Sequence, residues 1–153
     1  MQKTAAACAA LLALAPLLAR ADAVDDAIKA RQGFYDLVSH EMGALAAMAK
    51  GEAPYDATAA AAHARDLRAL SGYALPELFV AGSAKPERSG KTRALPEIWA
   101  DKADFEAKFG DFVSAVSAFQ SQAGAGQAAL GPALGKVGAT CKACHDAYRA
   151  KDF

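Results

Sequence analysis

The run Cys141-Lys142-Ala143-Cys144-His145 is the densest concentration of chemistry-bearing side chains in the sequence. Two thiols three residues apart, with an imidazole directly after the second, make a C-x-x-C-H pattern. On a helix both thiols point to one side, within reach of the two vinyl groups of a single porphyrin, and the adjacent imidazole comes beneath the same ring as an axial ligand to iron. The pattern therefore reads as covalent attachment of one c-type haem through Cys141 and Cys144, with His145 on the iron. A thioredoxin-like pair would want a βαβ setting, and a zinc site would want two further Cys or His ligands at matching spacing. Neither accompanies this run. A disulfide between the two thiols would be poor geometry at i, i+3 on a helix.

One histidine leaves the opposite face of the iron to be assigned, and His40, His63, Met42, Met48 and Tyr35 are the candidates. His40 lies nine residues after Arg31 and five after Tyr35, which turns it roughly 180° and 140° away from them on a helix. His63 shares a stripe with Leu67 and Leu70 and reads as a buried or interface histidine. Met42 lies on the stripe of Tyr35 but two turns on, about 10 Å along the axis, so the two cannot both sit over one iron.

These residues need helices to position them. Four segments carry helical periodicity, and no alternating run makes a convincing strand, so the chain reads as all-α. The first helix is expected from about Val24 to Lys50, on apolar positions such as Ile28, Phe34, Val38 and Leu45, ended by Gly51 and Pro54. The second starts near Asp56, as N-cap, and runs to Ser71-Gly72. Residues 73–98, with Pro76, Pro86, Pro96, Gly82 and Gly90, form a long crossover loop whose Leu75, Leu78 and Phe79 tuck against the bundle. The third helix, about Asp101 to Gln122, has Phe105, Phe109, Phe112, Val116 and Phe119 at alternating steps of four and three, a buried seam. The fourth carries Leu130, Leu134, Val137, Cys141, Cys144 and Tyr148 on one seam, and either starts at Pro132 or kinks there. Trp99 and Phe105 read as packing residues. The expected architecture is an antiparallel four-helix bundle with one covalently bound haem between facing helices.

The 153 residues suit a single domain after removal of a leader. Lys3 followed by the uncharged apolar run Ala5–Ala19 reads as a cleavable secretory signal over residues 1–21, with small-x-small sites placing cleavage near 21 or 23. That run is shorter than a spanning helix requires. The haem domain is then residues 22–153, and Cys8 leaves with the signal. Cutting after Ala21 removes Lys3 and Arg20 and takes the formal charge from zero to −2. Such a chain has no basic footprint for nucleic acid and no cationic face for a membrane surface.

Beyond the haem motif, Arg31-Gln32, Lys50-Gly51, Ala53-Pro54-Tyr55-Asp56, Pro96-Glu97-Ile98-Trp99 and the stretch Cys141–Arg149 occur in an order and spacing that resembles the cytochromes c′ across the whole mature chain. The resemblance implies five-coordinate, mostly high-spin iron, with the distal face covered by the side chain four residues after the first-helix arginine, here Tyr35. It implies haem contacts from Arg31, paired with a propionate, and from Gln32. Arg149 would sit beside the proximal imidazole at a solvent-facing edge, where its charge could weaken the iron–histidine bond; a plain surface arginine is the other reading. Tyr35 as simple core packing is the corresponding alternative there. The implied function is that of a periplasmic, homodimeric haem protein, binding nitric oxide and carbon monoxide and exchanging electrons with a redox partner protein, rather than an enzyme. A low-spin electron carrier with Met42 as sixth ligand is the competing reading. A peroxidase would want a distal acid–base group, which His40, turned away, does not supply.

Overall fold

In the computed structural model the backbone is described for residues 5–153 and the side chains from residue 23, so the signal segment expected over residues 1–21 lies outside the residues whose side chains are described. Among the described residues there are five helices, α1 (Ala5–Lys50), α2 (Ala57–Ser71), the single turn α3 (Glu97–Ala100), α4 (Lys102–Gln120) and α5 (Gln127–Tyr148), with a 3-10 turn at Leu75–Leu78. The four long helices pack in a ring, α1 on α2, α2 on α4, α4 on α5 and α5 back on α1, which makes a four-helix bundle. Among the described residues no helix is long and apolar enough to cross a membrane.

Local chemistry sets most of the ends. At the close of α1, Gly51 takes φ +75° while its N–H reaches Met48 O and the N–H of Glu52 reaches Ala47 O at 2.9 Å, a Schellman cap that a residue with a Cβ would strain. Asp56 caps α2 by accepting from Ala59 N at 2.9 Å, and Asp101 caps α4 by accepting from Asp104 N. Tyr55 ties the start of α2 to the α4–α5 turn, its hydroxyl donating to Ala123 O and accepting from Gly126 N. The main core lies at the centre of the ring, where Leu45, Leu67, Val116, Phe119, Leu130 and Val137 are essentially inaccessible to solvent. Burying each contributes roughly 1.5–3 kcal/mol.

The sequence left the start of α5 open between a helix beginning at Pro132 and one kinked there. It begins earlier, at Gln127, and runs through Pro132. The missing proline N–H removes one intrahelical bond. Leu130, Ala133 and Leu134 are buried on either side of it, and their packing holds the segment helical.

The crossover is less irregular than its prolines suggest. Besides the 3-10 turn and α3, it forms an antiparallel bridge to the C-terminus, with Leu95 N donating to Tyr148 O and Ala150 N donating to Arg93 O at 2.8 Å. Beneath it Ala94, Ile98, Phe105 and Tyr148 form a second, smaller core. Lys91 fastens the loop to α1 through Asp25, Nζ to Oδ2 2.5 Å, with Arg88 Nε 3.3 Å from the other oxygen. The hydrogen bond from Lys91, followed by the two cations' charge, holds the Asp25 carboxyl below its ordinary range. A carboxyl lowered by folding stabilises the fold above its unfolded pKa and loses that contribution as pH falls through the folded value. Asp25→Asn should therefore lower the thermal midpoint at pH 7, and the gap to the native protein should close as pH falls below about 4. A gap independent of pH in thermal melts would mean the clamp is not electrostatic.

Candidate functional site

The C-x-x-C-H run lies in the last two turns of α5, and the facing surface is the middle of α1. Cys141 and Cys144 are half-buried, unpaired thiols on one side of α5, as their spacing requires. Across from them the ring of Tyr35 stands 6.3 Å from the ring of His145, centroid to centroid, at 62° between planes. Two cavities, about 190 and 250 Å³, flank this ring pair. Tyr35, Ser39, Cys144 and His145 line both, so the two form one interrupted slot between α1 and α5. The first is walled by Phe79, Ile98, Phe105 and Tyr148, the second by Val38, Met42, Phe109 and Phe112.

The slot is apolar with a basic lining. Arg31, Arg93 and Arg149 line the first cavity and Lys108 the second, and no Asp or Glu side chain lines either. Burial, reinforced by the charges of Arg149 and Arg93, pushes the His145 pKa down, which favours the neutral imidazole that a metal ion requires. Burial also raises the Cys141 thiol and pushes Cys144 up to about 11. Burial, with smaller contributions from the two cysteines, drives the Tyr35 phenol well above its ordinary range and keeps it protonated. Arg149 Nη1 lies 3.4 Å from His145 Nδ1 at the exposed edge. Two thiols, a neutral imidazole and cations set around an apolar slot form a donor set suited to a planar, dianionic macrocycle holding iron.

Arg31 has partners that the resemblance did not imply. It is buried, with its guanidinium 4.6 Å over the ring of Phe79. One terminal nitrogen donates to Ser83 Oγ and Leu78 O, the other to Ser83 O and Thr92 Oγ1, three of these four at 2.7 Å. Of its five N–H donors only that on Nε is left for a ligand. Gln32, exposed beside it, donates to Lys91 O. Both side chains thus bind the crossover loop to α1 one turn before Tyr35.

The remaining candidates fall into place around the slot. His40 is exposed, with its ring 6.3 Å from that of His63, and lines neither cavity. His63 pairs through Nδ1 with Glu41 at 2.6 Å, an interhelical contact between α1 and α2. Met48 is buried in the main core and Met42 lines the second cavity. Trp99 donates to Phe79 O, which is packing, whereas Phe105 both packs against Tyr148 and lines the slot. Sequence reasoning did not single out Arg93 or the bond from Tyr148 Oη to Asp104 Oδ2 at 2.6 Å, which pins α5 to α4 beside Cys144 and pushes Tyr148 up to about 12. The four-residue stripe joining Cys144 to Tyr148 was a signal for the second; Arg93 sits in a loop where periodicity carries none.

The family model for cytochrome c′ matches residues 26–149. A cytochrome c′ of Cereibacter sphaeroides is 48% identical over 143 residues, covering 94% of this chain and 95% of its own length. Among solved structures, a cytochrome c′ from Rhodobacter spheriodes superposes with a TM-score of 0.80 at 48% identity, over 84% of this chain and 98% of that one. A nitric oxide complex of a single-residue variant of the cytochrome c prime from Alcaligenes xylosoxidans superposes with a TM-score of 0.71 at 38% identity, over 84% of this chain and 97% of that one. A family match spanning the bundle from α1 to the end of the haem motif, with relatives of nearly equal length, shows that this chain belongs to the cytochrome c′ family.

Proposed function

We propose that this cytochrome c′ family member is a periplasmic, five-coordinate haem protein that cycles between ferric and ferrous iron and binds nitric oxide or carbon monoxide. Family membership gives the chain one covalently attached haem c. That haem supplies one-electron redox chemistry and an iron coordination position. Cys141 and Cys144 carry the two thioethers, and His145 is the axial ligand. Tyr35 covers the opposite face, Gln32 and Arg31 steady the loop at the slot's edge, and Arg149 stays beside the imidazole. The observation that carries this reading is the ring of Tyr35 facing His145 at 6.3 Å, its phenol kept protonated by burial. A neutral phenol is a weak iron ligand, so it shields the position without filling it. An aromatic shield admits small uncharged diatomics more readily than anions or bulky ligands.

Export follows from the segment 1–21, cleaved near 21 or 23. A homodimer formed through α1 and α2 is supported by the apolar groove between them, where Leu37 and Tyr73 are each about half exposed. Electron exchange with a redox partner protein follows from the haem.

Met42 lines the second cavity with Cys141, Cys144 and His145, and this keeps a low-spin carrier with Met42 as sixth ligand as the second reading. The absorption spectrum of the ferrous protein separates the two. A broad, unsplit visible band that sharpens when carbon monoxide is added is the expected result. A resolved α-band indifferent to carbon monoxide would replace the gas-binding reading with the Met42 carrier.

A further inference from the structure

Away from the slot, two histidines meet where α1 packs on α2. His40 is exposed on α1 and His63 half-buried on α2, with their ring centres 6.3 Å apart and their planes at 67°. An imidazole nitrogen binds a divalent transition ion at about 2.0–2.1 Å, which places the ring centre about 3.2 Å from the metal. Two rings on one ion therefore stand about 5 Å apart at a tetrahedral angle and about 6.4 Å apart when opposed. The observed spacing lies within that range, and His40, exposed, can turn about its own side-chain torsions to narrow it.

His63 is also oriented as ligating histidines are. Its Nδ1 meets Glu41 Oε2 at 2.6 Å, so the neutral ring donates its one N–H to the carboxylate and keeps Nε2 as a lone pair. A carboxylate behind an imidazole fixes the tautomer and makes the opposite nitrogen a stronger donor to metal. No Lys or Arg stands three or four residues from either histidine, whereas Asp36 and Asp66 do. Asp66 pairs with Arg65 at 3.2 Å, which leaves Asp36 and Glu41 to supply negative charge beside the two rings. Neither histidine lines the slot or the apolar groove between α1 and α2, so the pair is separate from the haem reading.

We propose that His40 and His63 form a bidentate site for a borderline divalent transition ion, copper(II) or zinc(II), with Glu41 as the positioning residue behind His63. Imidazole donors suit these ions and not the hard cations magnesium and calcium, which take oxygen. Among the described residues no three His, Cys, Asp or Glu side chains are grouped to hold a metal ion. Two imidazoles are therefore the whole of the protein's share, and water completes the coordination shell. A bound ion ties α1 to α2.

The test titrates the purified ferric holoprotein calorimetrically with zinc(II), and separately with copper(II), in a buffer that does not bind metals. One ion per chain should bind, with copper(II) at least about tenfold tighter than zinc(II). His40→Ala removes an exposed side chain and should weaken zinc(II) binding at least about tenfold, as should His63→Ala. Glu41→Gln leaves both ligands in place and should weaken it about tenfold. Saturating zinc(II) should raise the thermal midpoint of the native protein and leave that of His40→Ala unmoved. An unaltered haem absorption spectrum in each variant shows that the bundle is intact. Native protein that binds no zinc(II) or copper(II), or a His40→Ala, His63→Ala double variant that binds them as tightly as native, overturns the site. Native affinity in Glu41→Gln overturns the positioning role.

Discussion

His145→Ala is expected to give a protein that keeps its haem but loses its native spectrum. In the proposed arrangement two thioethers through Cys141 and Cys144 hold the porphyrin independently of the iron, so removing the imidazole separates ligation from attachment. The side chain sits at the slot between Arg149 and Tyr35 with its pKa lowered by burial, so it is available as the neutral ligand. Tethering gives a ligand an effective concentration far above anything reached in solution. The expected result is complete loss of the native Soret and visible bands, partly restored by millimolar imidazole diffusing into the space that the deletion opens. Absorption spectra before and after an imidazole titration check this. A spectrum unchanged by the substitution would remove His145 from the iron.

What the sequence disclosed and what it concealed divide along the range of the forces involved. The end of α1 at Gly51 and the starts of α2 at Asp56 and α4 at Asp101 were legible because a cap is decided within four residues, and the structure closes each with the local bonds expected. The seam of α4 was legible in Phe105, Phe112, Val116 and Phe119, all buried. Phe109, on the same seam, is only partly buried because it faces the slot. The start of α5 at Gln127 was not legible, because Pro132 left a start and a kink both open and the helix runs through it with Leu130 and Leu134 buried. The site shows the same division. Cys141, Cys144 and His145 lie in one helical turn, and Tyr35 is implied by the resemblance to the cytochromes c′, one turn after Arg31 on α1. The partners of Arg31 lie 47 to 61 residues away in a loop without periodicity, and no spacing rule reaches them. Arg93 was hidden for the same reason.

Tyr35→Ala should accelerate carbon monoxide binding to the ferrous protein by about ten- to a hundredfold. The ring of Tyr35 packs edge-on against Phe34 at 5.4 Å and lies against His145 at 6.3 Å, between the two cavities. In the proposed arrangement a ligand entering the iron's free side has to displace it. Leaving the aromatic pair costs roughly 0.5–1.5 kcal/mol beyond area, and re-exposing part of a large side chain costs on the order of 1 kcal/mol more. Since about 1.4 kcal/mol is a factor of ten in rate, the sum sets the expected range. Tyr35→Phe isolates the hydroxyl from the ring. It keeps the obstruction, so its rate should stay within about twofold of native if sterics dominate. Flash photolysis or stopped-flow mixing measures both variants. An unaltered rate in Tyr35→Ala would take Tyr35 off the distal face, and full acceleration in Tyr35→Phe would mean that the hydroxyl, and not the ring, controls entry. The ferrous spectrum of Tyr35→Ala bears on Met42 as well. With the ring gone, the two cavities merge and Met42 gains a path toward the iron, yet its place two turns along α1 leaves it about 10 Å from the vacated position along the axis. The variant should therefore stay high-spin until carbon monoxide is added, because register along the helix, and not the presence of Tyr35 alone, keeps the thioether away from the metal.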